Sequence, residues 1–76
     1  MTLDLLPLGQ EAVITAVGGA GALRLRLLDM GLIPKTTVRV EKIAPLGDPI
    51  ELRVRGYALS LRKEEARNIQ VEVREV

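Results

Sequence analysis

The chain of 76 residues has no cysteine, no histidine, no phenylalanine and no tryptophan, and its only aromatic side chain is Tyr57. Each absence removes a class of chemistry. Without cysteine there are no disulfides and no thiolate metal sites. Without histidine, the commonest general base and the commonest transition-metal ligand are missing. The hydroxyl side chains are Thr2, Thr15, Thr36, Thr37 and Ser60, and none has a base beside it in sequence that would activate it as a nucleophile. We therefore expect no catalytic residues. The acids are scattered from Asp4 to Glu75, and only Glu64 and Glu65 are adjacent. Neighbours on a helix point about 100° apart, so no metal site and no cofactor are expected. Eleven basic and ten acidic residues give a net charge of +1 with no block of one sign. That is a poor footprint for nucleic acid, and stacking aromatics are missing as well. No apolar run approaches the roughly 20 residues that cross a bilayer. Met1-Thr2-Leu3-Asp4 lacks the basic start of a secretory signal. The expectation is a cytoplasmic, single-domain protein over residues 1–76, with a core of Leu, Ile, Val and Ala.

The most constrained stretch is Ala44-Pro45-Leu46-Gly47-Asp48-Pro49. Pro45 and Pro49 bias the residues before them towards extended backbone, and Gly47-Asp48 is a turn-forming pair. Strict alternation follows at once, with Ile50, Leu52 and Val54 on one face and Glu51, Arg53 and Arg55 on the other. A loop of restricted shape thus delivers a strand in a fixed register.

The other elements follow in chain order. After an apolar start around Pro7, Glu11 to Val17 is rich in β-branched residues and predicts a first strand, although both alternating sets are largely apolar. Gly18-Gly19-Ala20-Gly21 lacks the spacing of a phosphate-binding loop and reads as a connector. Ala22 to Met30 predicts a helix, because Gly31 suits a left-handed cap, Leu32 can fold back on Leu27, and Pro34 follows. Leu23, Leu27 and Met30 line one face of it, while Leu25 points nearly opposite and Leu28 lies between. Thr36 to Ala44 predicts a second strand, with a bulge near Glu41-Lys42 that would return Ile43 to the core. Ile50 to Val54 is the third strand, and Gly56 allows a tight hairpin into a fourth with Tyr57, Leu59 and Leu61 inward. Arg62 to Asn68 predicts a turn or two of helix, and Ile69, Val71 and Val73 form a last strand. The sum is a mostly β fold: an antiparallel barrel of about five strands, one inserted helix and a short helical turn before the last strand.

Four stretches in this order resemble the FeoA family of ferrous iron transport protein A. They are Arg26-Leu27-Leu28-Asp29-Met30-Gly31-Leu32 with Pro34, then Val38-Arg39-Val40, then Ala44 to Ile50, and finally Leu61-Arg62-Lys63-Glu64-Glu65-Ala66 with Ile69. The resemblance implies an SH3-like barrel and an accessory role in Fe(II) uptake, through binding and regulating FeoB, a membrane transporter with a cytosolic GTP-binding domain. It departs from the family at Lys35, where glycine is usual; a type I turn after Pro34 is the expected consequence. The candidate partner-binding residues are Leu46 and Asp48 on the loop, Arg24, Leu25 and Leu28 on the helix, and Arg55. The loop residues and Leu25 have a plainer reading: the loop could serve barrel geometry with Leu46 over one end of the core, and Leu25 could be an ordinary exposed leucine. Arg24 or Arg55 could also reach FeoB's nucleotide as an arginine finger. A monomer or weak homo-oligomer acting at the cytosolic side of FeoB is expected, without membrane insertion and without nucleic acid. Proline-rich peptides are not expected ligands, because their recognition needs an aromatic-lined groove. The alternative is a detached SH3-like domain related to iron-dependent transcriptional repressors. Those carry a winged helix and metal ligands that this chain lacks, and its initial Met1 favours a stand-alone protein.

Overall fold

Alternating apolar residues at Ile50, Leu52 and Val54 become an inner strand of a five-stranded antiparallel sheet in the computed structural model, which describes residues 1–74. A short 3-10 turn at Leu3–Leu5 leads in. The strands are β1 (Glu11–Val17), β2 (Thr37–Ile43), β3 (Ile50–Val54), β4 (Tyr57–Leu61) and β5 (Ile69–Val73). Helix α1 (Gly21–Asp29) is inserted after β1, and α2 (Lys63–Ala66) is the short turn before β5. The strand order is β4-β3-β2-β1-β5. This is an SH3-like barrel whose hydrogen-bonded sheet is left open between β4 and β5.

The helix ends as its sequence dictates. Gly31 has φ 94°, its N–H donates to Leu28 O at 3.0 Å, and Leu32 N–H donates to Leu27 O at 3.2 Å. This pair of bonds is a Schellman motif, with Leu27 and Leu32 both fully buried. A Cβ on Gly31 would collide with the Tyr57 hydroxyl, so a side chain here would have to push the tyrosine aside.

Two bulges curve the sheet. Between Val40↔Leu52 and Lys42↔Glu51 the register skips Glu41, where the phase of the sequence slips. A second skip falls at Thr15, between Ile14↔Val71 and Ala16↔Gln70. It lets Ala12, Ile14 and then Val17 all face the core, and so explains why both sets of β1 are apolar.

Three expectations need correction. Ile43 is not returned to the core: it ends β2 opposite Ile50, at the rim, and stays 41% exposed. Tyr57 is not buried inward either. It begins the edge strand β4, 44% exposed, and its hydroxyl donates to the Met30 carbonyl at the end of α1. The turn after Pro34 is not type I, because Lys35 takes φ 74°. Lys35 N–H donates to Ile14 O at 2.7 Å while Ile14 N–H donates to Thr36 O at 2.9 Å. This double clasp to β1 imposes the left-handed backbone that a type II turn requires, with or without glycine.

Candidate partner-binding surface

The loop between β2 and β3 is held at both ends and presents its middle. Gly47 N–H donates to Ala44 O at 2.7 Å, with Gly47 at φ 86°, and Ala44 N–H donates to Pro49 O at 3.1 Å. Asp48 Oδ1 then accepts the Lys63 N–H at 2.9 Å. That N–H lies in the first turn of α2, where backbone donors have no partner within the helix and a carboxylate is favoured by the helix dipole. Arg62 adds a looser ion pair to Asp48 at 3.8 Å. With the loop anchored in this way, Leu46 stands at its tip 97% exposed. The reading that folds Leu46 over the core is excluded, and Asp48 has a structural role of its own.

The helix contributes differently. Arg24 Nε donates to Val17 O at 2.9 Å, which ties α1 to the end of β1. Leu25 is 61% exposed, whereas Leu28 is half-buried and packs against the core. Arg26 pairs with Glu65, which also accepts the Arg62 N–H at 3.0 Å. Between the two helices lies a groove of about 470 Å³ lined by Ala22, Leu23, Arg26, Glu64 and Glu65. No sequence signal marks this groove, because its walls are far apart in the chain.

Arg55 sits in the two-residue hairpin joining β3 to β4. Both hairpin residues have positive φ, 49° at Arg55 and 90° at Gly56, as a type I′ turn requires. The Arg55 guanidinium donates to the hydroxyl of buried Thr36 at 3.2 Å. On the same side of the sheet, Glu41 accepts from Arg53 at 2.7 Å and Arg39 at 3.3 Å. The Arg53 hydrogen bond, reinforced by Arg39, holds the Glu41 carboxyl below its ordinary range.

The six candidate residues thus lie on three separate elements. Leu46 and Asp48 share the loop, Arg24, Leu25 and Leu28 share α1, and Arg55 stands on the hairpin. Among the described residues no hydrogen bond or ion pair joins one element's candidates to another's. Nor, among the described residues, do three or more His, Cys, Asp or Glu side chains gather as a metal site. No helix among the described residues is long and apolar enough to cross a membrane.

Residues 1–73 match the family model described as the FeoA domain. Over 73 residues the chain is 44% identical to the Fe(2+) transport protein A/Fe(2+) transporter FeoB fusion protein of Porphyromonas gingivalis. The match covers 96% of this chain and only 9% of that much longer protein. Among solved structures, the FeoA-like protein of Clostridium acetobutylicum superposes with a TM-score of 0.89 at 40% identity, over 96% of this chain and 85% of that one. Stenotrophomonas maltophilia FeoA complexed with zinc, described as a prokaryotic SH3 domain protein, gives 0.84 at 32% identity over 95% and 89%. The fold alone is shared with T. acidophilum IdeR, at a TM-score of 0.85 and 21% identity over 97% of this chain and 34% of that one. The chain belongs to the FeoA family of ferrous iron transport.

Proposed function

We propose that this chain is a single FeoA-type interaction domain over residues 1–76 that binds a FeoB-type Fe(II) transporter at its cytosolic side and regulates it. The observation that carries this reading is the fusion relative, in which a FeoA segment similar to this chain and a FeoB transporter share one polypeptide. Fusion raises the effective concentration of two modules for one another. The separate chain would reach the same end by binding. It acts in the cytoplasm as a monomer or weak homo-oligomer, without entering the membrane, and with no catalytic residue, cofactor or nucleic acid of its own. Leu46 is the leading contact: an apolar side chain on a pre-organised loop binds at little cost in ordering. Leu25 and the exposed side of α1 form the second contact surface.

The test is a calorimetric titration against the soluble portion of the matching FeoB-type transporter, with GDP and with a non-hydrolysable GTP analogue. The wild type is expected to bind in at least one nucleotide state. Leu46→Glu is expected to weaken binding at least tenfold, about 1.4 kcal/mol, without changing the melting temperature. Wild type that binds in neither state would overturn the reading. Undiminished binding by Leu46→Glu would move the contact away from the loop.

A further inference from the structure

Strand β4 is the outermost strand of the sheet on its side, and among the described residues no strand pairs with its outer backbone. The hairpin closes with Val54 opposite Tyr57, and five successive pairs follow without a break to Ile50↔Leu61. In such a ladder, pairs that exchange hydrogen bonds alternate with pairs that do not. A two-residue hairpin makes its closing pair a bonded one. Tyr57, Leu59 and Leu61 therefore turn their backbone polar groups towards β3, while Ala58 and Ser60 turn theirs away from the sheet. Among the described residues, no backbone hydrogen bond outside the ladder uses them. Native edges are usually blunted by lysine, proline, a bulge or a covering segment. From Tyr57 to Leu61 this edge has none of the first three, and the side chains of Ala58 and Ser60 are small and exposed. The opposite edge, β5, is treated differently: Thr2 forms a bridge to Gln70, and Val71 N–H donates to Met1 O at 2.8 Å.

The outer face of the sheet beside this edge is shaped as well. Lys42, Glu51 and Ser60 lie in one row across β2, β3 and β4. They border a groove of about 270 Å³ that is also lined by Ala44 and Pro49. One row along, Ala58 stands opposite Arg53, and Arg53 and Arg39 share the single carboxylate of Glu41. Glu11 faces Arg39 from β1, and Arg55 lines the same surface, so three arginines meet two carboxylates and one positive charge is left in excess there.

The geometry points to β4 as a docking edge for an extended segment of the FeoB-type partner, which adds a sixth strand to the sheet. The inference rests on the function proposed above. The backbone of Ala58 and Ser60 supplies the hydrogen bonds, and alternate side chains of the incoming strand supply the selectivity. The residue opposite Ser60 reaches over a small side chain to the groove of Ala44 and Pro49, and is apolar. In an antiparallel strand the residue two positions later lies opposite Ala58 beside Arg53, and is acidic. A second copy of β4 fits poorly. Antiparallel pairing of β4 with itself sets Ser60 against Gly56, Ala58, another Ser60 or Arg62, and none of these is a large apolar side chain that fills the groove.

The experiment measures amide hydrogen exchange and calorimetric affinity for the soluble portion of the FeoB-type transporter, with wild type and Ser60→Pro. Proline at this position removes an N–H that points to solvent and leaves the β3 ladder intact, and an unchanged melting temperature checks the fold. Slowed exchange at Ala58 and Ser60 on adding the partner, with affinity at least tenfold lower for Ser60→Pro, is the expected result. Should Ser60→Pro lose stability, the exchange of Ala58 and Ser60 in the wild type decides alone. Wild type that binds without protection of these amides would overturn the docking edge and leave the FeoB reading standing. Wild type that does not bind would overturn both. Protection that rises with the concentration of this protein alone would assign the edge to a second copy instead.

Discussion

Lys35 occupies backbone space that costs an L-residue roughly 1–2 kcal/mol, at φ 74°. Its side chain is exposed, and the structure shows no hydrogen bond or ion pair made by it among the described residues. What holds the conformation is the backbone, through the bonds of Lys35 and Thr36 with Ile14. Glycine would relieve the strain, but it adds freedom to the unfolded chain worth about 0.5–1 kcal/mol. Lys35→Gly should therefore stabilise the protein by about 0.5–1 kcal/mol. At about 4–8 °C per kcal/mol for a domain of this size, its melting temperature should rise by several degrees in a calorimetric scan. An unchanged or lower value would show that Lys35 makes a compensating contact in solution. Gly31 is the opposite case. Its positive φ strains any side chain, and a Cβ would stand where the Tyr57 hydroxyl is, so a substitution would also displace the tyrosine from the Met30 carbonyl.

At the scale of elements, α2 depends on a residue outside it. Asp48 precedes the Lys63 N–H that it accepts by 15 positions, so the loop that presents Leu46 and the helix before β5 are fastened together by one carboxylate. Loss of a side chain that satisfies a first-turn N–H costs about 0.5–2 kcal/mol. Asp48→Ala should lower stability by about 1 kcal/mol and speed amide exchange at Lys63, measured by NMR. Protection of Lys63 equal to wild type would show that the cap is dispensable. Such a bond was not legible in the sequence, because nothing local pairs residue 48 with residue 63. Local chemistry was legible: the cap at Gly31-Leu32, the hairpin at Gly56, and the bulge at Glu41, where the alternation visibly slips. The bulge at Thr15 left no trace, since a strand with two apolar sets gives no phase to break. Alternation also told on which side Tyr57 lies but not how little covers an edge strand. The rigidity of the Pro45–Pro49 loop could be read in advance, yet the direction of Leu46 depended on anchors elsewhere.

On the scale of the whole molecule, stability rests on an aliphatic core with no buried aromatic ring. A domain of 76 residues, at about 0.05–0.15 kcal/mol per residue, holds only about 4–11 kcal/mol in all. Leu27 is fully buried and joins α1 to the barrel, whereas Leu25, two residues before it, is 61% exposed. Removing a buried leucine side chain to alanine costs about 2–5 kcal/mol, because the cavity closes only in part. That loss could consume half of the total. Leu27→Ala should thus move the urea midpoint far down, or unfold the chain outright. Leu25→Ala should stay within about 0.5 kcal/mol of wild type, as exposed positions do. Urea titrations of both variants, followed by circular dichroism, measure the contrast on one helix. A loss at Leu25 as large as that at Leu27 would mean that the outer side of α1 is covered in solution. With no other component present, a second copy of the chain would have to cover it, and its place as a contact for FeoB would pass to the loop.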